Sequence, residues 1–138
     1  MITALLGLGG LLLVMIGAGI GTVGRWAFAE HGPRLLARRL PEVDLAVVRP
    51  WMTWTANVVS SFLLGIVVTR LGAATGGAGY VFLLLGTGLC GGLSVLSTAA
   101  MDVVDLVRRG TASIALGYLM LSVGVSMAFL WLGLVIGS

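Results

Sequence analysis

The sequence predicts an all-α membrane protein with four transmembrane helices, the third of them broken within the membrane. Three observations carry this. The 138 residues are 59% hydrophobic and only 9% charged, with a mean hydropathy of +1.13, whereas a soluble domain has roughly 25% charged residues. The apolar residues fall in four runs, each long enough for the ~20 residues that cross a bilayer. The third run contains residues 86–100, Gly-Thr-Gly-Leu-Cys-Gly-Gly-Leu-Ser-Val-Leu-Ser-Thr-Ala-Ala, in which Gly86, Gly88, Gly91 and Gly92 crowd together. Each glycine costs about 1 kcal/mol against alanine in a helix interior. An opened backbone is tolerated in a bilayer only where it is buried in protein or faces water. On composition alone two readings stand: a small-residue face for close helix packing, or a broken helix whose free carbonyls and amides meet an ion.

The first helix is expected over about residues 2–29. Ala27-Phe28-Ala29 imitates a cleavage site, but no basic segment precedes the apolar run, and the run exceeds the 7–15 residues of a signal peptide. Gly17 and Gly21, four apart, make a close-packing face. Arg25, near the end of this helix, reads by itself as a snorkelling arginine. Residues 30–50 form the one long polar segment, read as a loop. Within it Leu35, Leu36 and Leu40 interleave with Arg34, Arg38 and Arg39 between Pro33 and Pro41, the pattern of a short interfacial helix.

The second helix, about 51–71, opens with Trp51 and Trp54 as interfacial aromatics. Asn57 follows within the hydrocarbon, with Ser60 and Ser61 one turn on; such an amide serves as interhelical glue or faces a polar path. A Gly/Ala/Thr loop leads to the third helix, about 80–107, whose far end carries Asp102, Asp105, Arg108 and Arg109. In the fourth helix, about 112–136, Tyr118 and Ser122 share one face at i, i+4, and Ser126 extends it.

Several function classes are excluded. The net charge of +3 comes from eight arginines without a lysine, and these lie mostly in short connections rather than on a folded basic face, so nucleic-acid binding is not expected. One cysteine, Cys90, forms no internal disulfide, and one histidine, His31, makes no metal cluster. No nucleophile–base pair is visible, so no enzymatic activity and no organic cofactor are expected. Glu30, Asp102 and Asp105 all fall at expected helix ends, leaving no intramembrane carboxylate to couple protons.

Four segments, in order, resemble the Fluc (CrcB) fluoride channels. Gly17-Ala18-Gly19-Ile20-Gly21-Thr22-Val23-Gly24-Arg25 is similar to that family's Gly-Gly-x-x-Gly-Ala-x-x-Arg. Thr53-Trp54-Thr55-Ala56-Asn57-Val58-Val59-Ser60-Ser61-Phe62-Leu63-Leu64-Gly65 resembles Gly-Thr-x-x-x-Asn-x-x-Gly-Ser-Phe-x-x-Gly. Gly91-Gly92-Leu93-Ser94-Val95-Leu96-Ser97-Thr98-Ala99 resembles Gly-Gly-Leu-Thr-Thr-Phe-Ser-Thr-Phe, and Tyr118 with Ser122 matches Tyr-x-x-x-Ser. The resemblance implies a passive fluoride-specific channel that lowers cytoplasmic fluoride and so confers fluoride resistance. It implies an antiparallel dimer of four-helix subunits, with pores along the subunit interface. It further implies a structural sodium ion at the dimer centre, held by the main-chain carbonyls of Gly91 and Ser94. Asn57 would donate to fluoride, Ser97, Thr98, Tyr118 and Ser122 would form the polar track, and Arg25 would stand near a pore vestibule.

The departures bear on the partner. The family's two pore phenylalanines fall at Leu96 and Ala99, and its second threonine at Val95. Aromatic ring edges carry partial positive charge, which neither leucine nor alanine supplies. Arg34, Arg38, Arg39, Arg49, Arg108 and Arg109 fall on one side of the expected four-span topology and only Arg70 on the other. This bias predicts cytoplasmic connections at 30–50 and 107–111, with both termini outside. A subunit fixed in one orientation cannot supply both halves of an antiparallel pair, so a homologous partner of opposite orientation is expected, a homodimer being the alternative. Two other functions compete: a purely structural, non-conducting subunit, and a small-multidrug-type transporter. The latter needs a first-helix carboxylate, and none precedes Glu30.

Overall fold

The computed structural model describes residues 2–39, 45–94 and 96–138. Among them every regular element is helical: α1 (Ile2–Arg39), α2 (Leu45–Leu71), α3 (Gly77–Phe82), a π-helical segment (Leu83–Cys90), α4 (Gly91–Leu93), α5 (Leu96–Arg108) and α6 (Ala112–Gly137). Four stretches, Gly7–Leu35, Pro50–Leu71, Gly77–Arg108 and Ala112–Gly137, are long and apolar enough to cross a membrane. The chain is a multi-pass membrane protein.

The segment expected as a polar loop over 30–50 is helical at both its ends. α1 continues to Arg39, and α2 already begins at Leu45. Pro33 costs α1 one amide donor, but its fixed φ is helical, and the flanking Leu, Ala and Arg residues are good helix formers. The Arg34 guanidinium pairs with Glu30 one turn earlier, with the acid on the N-terminal side, the favourable order for such a pair. At 38 residues, α1 is about 57 Å long at 1.5 Å per residue. It therefore projects well beyond a ~30 Å hydrocarbon core.

Contacts along α1 and the third span rise together. Gly10 meets Leu83, Gly17 meets Gly88, and Gly21 meets Gly92 and Leu93; the two spans therefore run in the same direction. α2 and α6 do likewise: the Phe62 and Phe129 rings meet edge to face at 6.4 Å, Gly65 faces Gly133, and Arg70 Nε donates to the Gly137 carbonyl at 2.6 Å. Small residues allow this approach. A Cβ on Gly88 would lie 2.9 Å from the Gly17 Cα, and one on Gly133 would lie 3.1 Å from the Gly65 Cα. The buried residues are correspondingly small, among them Ala56, Ser60, Ala99 and Ala115, while Leu11, Ile20, Met120 and Trp131 face outward. In lipid there is no hydrophobic gain from hiding leucine, so close packing of small residues holds the helices.

Gly17→Leu tests this contact. Its Cβ would overlap the Leu84 carbonyl oxygen, and such overpacking costs about 1–3 kcal/mol or more. The variant is expected to melt several degrees lower in detergent, whereas Gly19→Ala, which meets nothing within 4 Å, is tolerated.

α5 closes with a turn of its own. Gly110 takes φ 77°, its N–H bonds the Val107 carbonyl and the Thr111 N–H bonds the Leu106 carbonyl. This is a glycine-capped helix end, which brings α6 back beside α5.

Candidate ion pathway

Arg25 is the centre of the polar end of the bundle. Its Nη1 donates to Thr98 Oγ1 at 2.8 Å, joining α1 to α5 across 73 positions. Its Nε is buried without a hydrogen-bond partner. Two cavities adjoin it and share Phe28 and Ala56: one of about 260 Å³ that also touches Thr55, Val59 and Leu93, and one of about 240 Å³ that touches Met52, Thr53 and Thr98. The guanidinium has five N–H donors and no acceptor. The guanidinium lies beside both cavities and is bonded to the Thr98 hydroxyl. An ionised group in such surroundings is costly unless compensated.

Tyr118 and Ser122 are both buried on α6. The Tyr118 hydroxyl donates to the Pro50 carbonyl at 3.2 Å and lies 3.4 Å from Asp102 Oδ2. Asp102 corrects an expectation. It is not at the end of its helix but six residues inside α5, and it is 8% exposed. Its spacing held a signal: Asp102 follows Thr98 by four, so the two share a face of α5. The one phenolic proton is thus directed at acceptors inside the subunit.

Asn57 is half-buried, and its Oδ1 is shielded without a hydrogen-bond partner, as are Trp54 Nε1 and Ser126 Oγ. Buried polar atoms are satisfied in more than 90% of cases, so these three atoms on α2 and α6 have unspent hydrogen-bonding capacity. Ser97 is exposed and Thr98 half-buried, while Ala99 is 7% exposed and carries no ring. The side chain of Leu96, those of Arg38, Arg39 and Arg49, and the whole of Val95 lie outside the described residues.

The glycine-rich stretch takes two forms. Over Leu83–Cys90 it is a π-helix, a wider turn found frequently at functional sites. After Leu93 the backbone of Ser94 is extended, at φ −91° and ψ 114°. That ψ swings the Ser94 carbonyl off the helix axis. Gly91 and Ser94 are both exposed on the single subunit. Just before them the Cys90 carbonyl accepts a bond from the Ser60 hydroxyl, a contact with no signal in the sequence.

Residues 12–134 match the family model described as CrcB-like protein, Camphor Resistance (CrcB). The chain belongs to the CrcB family. Among its relatives, the "Fluoride-specific ion channel FluC" of Novosphingobium aromaticivorans is 38% identical over 126 residues, covering 88% of this chain and 90% of its own. Proteins of the same description from Mesorhizobium japonicum and Agrobacterium fabrum are 36% and 31% identical, over 90% and 91% of this CrcB chain and 92% and 93% of their own.

Proposed function

We propose that this CrcB-family chain is a subunit of a fluoride channel, letting the anion leave the cytoplasm passively and without an enzymatic step. The observation that carries the reading is the match, over nearly its whole length, to relatives named fluoride-specific ion channels. The geometry supports it. Fluoride holds its hydration shell tightly, so a path must offer N–H and O–H donors in place of water. Arg25 with Thr98, Asn57, Ser97, Tyr118 and Ser122 provide them, and Arg25 lacks a carboxylate partner among the described residues. The test is fluoride efflux from liposomes, with chloride as the control. Fluoride-selective flux from an assembly containing this chain supports the reading; none from any assembly ends it.

In this reading the subunit pairs antiparallel with a homologous chain, its termini outside and the arginine-rich connections in the cytoplasm. The third span is broken at Ser94, and the carbonyls of Gly91 and Ser94 hold a structural sodium ion at the dimer centre. Main-chain oxygens suit a hard cation, the Ser94 torsion takes its carbonyl out of the helical ladder, and a side chain at Gly91 would meet nothing within 4 Å of the subunit, leaving it open to a partner. Since the ligand at Ser94 is the main chain, Ser94→Ala is expected to retain assembly in sodium, while Gly91→Leu, which would intrude between subunits, reduces the dimer fraction on gel filtration severalfold. The opposite order would overturn the assignment. A second reading, a subunit that contributes structure but no pore of its own, is favoured by Ala99, which is buried and has no ring to offer an anion.

A further inference from the structure

Ser60 retains 2% of its surface and is the largest fully buried side chain among the described residues. Its hydroxyl donates to the Cys90 carbonyl oxygen at 2.8 Å, across 30 positions. The same oxygen accepts the Ser94 N–H at 3.0 Å, the helical bond immediately before the backbone turns extended. One carbonyl thus ties the turn at Ser94 to α2. It also belongs to the peptide plane that contains the Gly91 nitrogen, so fixing it fixes one side of Gly91. Gly91 needs that restraint: it is exposed, has no Cβ and has open space around it, and glycine is the residue with the most backbone freedom.

We propose that Ser60 is a positioning residue for the cation site, holding the Cys90–Gly91 peptide so that the carbonyls of Gly91 and Ser94 are presented together. The clamp rests on the sodium reading of that site. It predicts that the hydroxyl sets sodium affinity, whereas a hydrogen bond that only joins two helices would change stability alone.

The experiment follows thermal melting of the purified protein in detergent as sodium replaces N-methylglucamine at constant ionic strength. A cation bound only by the folded assembly raises the melting temperature with its concentration. In Ser60→Ala the sodium concentration for half-maximal stabilisation is expected to rise about two- to tenfold, the size of effect of one intramolecular hydrogen bond. Ser60→Gly removes the same hydroxyl and serves if Ser60→Ala does not purify. Thr69→Ala is the comparator: its hydroxyl is shared between the Gly65 carbonyl of its own helix at 3.0 Å and the Leu134 carbonyl of α6 at 3.2 Å, and its loss should lower the melting temperature without moving the sodium midpoint. A Ser60 variant that melts lower but keeps the wild-type midpoint overturns the positioning role alone. Wild-type protein without any sodium response overturns the cation site and the clamp together.

Discussion

Reconstituted alone, this chain is expected to give fluoride efflux at least about a hundredfold below that of an assembly with a homologue that keeps the pore aromatics. An anion stripped of water requires positive potential along its whole path, and an uncompensated charge in a bilayer costs about 3 kcal/mol or more, which is about two orders of magnitude in rate. Ala99 is buried and ringless, and position 96 is a leucine, so a homodimer would lack ring edges in both pores. A mixed dimer would draw them from its partner. Insertion in both directions is further opposed by six arginines on one side against one on the other, at about 1 kcal/mol per charge wrongly placed. Liposome efflux from the single chain, combined with cysteine labelling of segment 30–50 from either side, decides the matter. Full flux with labelling from both sides would establish a homodimeric channel with a different pore lining.

Asn57→Asp is expected to abolish efflux from the same assembly while leaving a folded protein. The Asn57 amide is half-buried with Oδ1 unpartnered, so the substitution changes little in shape and replaces a neutral donor with a negative charge. Two like charges about 4 Å apart repel by about 4 kcal/mol at an effective dielectric of 20, a fall of about a thousandfold in rate. Melting temperature and elution volume should stay near wild type, which separates a pathway effect from misfolding. Unchanged efflux would make Asn57 a packing residue.

The two tests draw on different information. The number of spans is legible in the sequence because hydropathy sums along the chain and each span must satisfy its own backbone within lipid. Family membership is legible because Gly17–Arg25, Asn57 with its neighbours, Gly91–Ser97 and Tyr118 with Ser122 are short ordered patterns. The boundary of α1 is less so: Pro33 reads as the start of a separate short helix, whereas α1 runs through it to Arg39. Asp102 is misjudged from sequence for a related reason. Asp102 lies six residues before Arg108, and only the structure shows its carboxylate turned inward against Tyr118.

What the sequence by itself determined is therefore local: four apolar helices, their glycine faces and a third span rich in glycine. The tertiary structure decided the pairings. Arg25 reaches Thr98, Ser60 reaches the Cys90 carbonyl and Tyr118 reaches Asp102 and Pro50. Each depends on the rotation and register of two helices about their axes, and a one-residue shift turns a helix face by about 100°. That register is set where glycines let backbones touch, at Gly17 with Gly88 and Gly65 with Gly133. Hydropathy summed along a span is blind to it, because the sum is the same at every rotation of the helix.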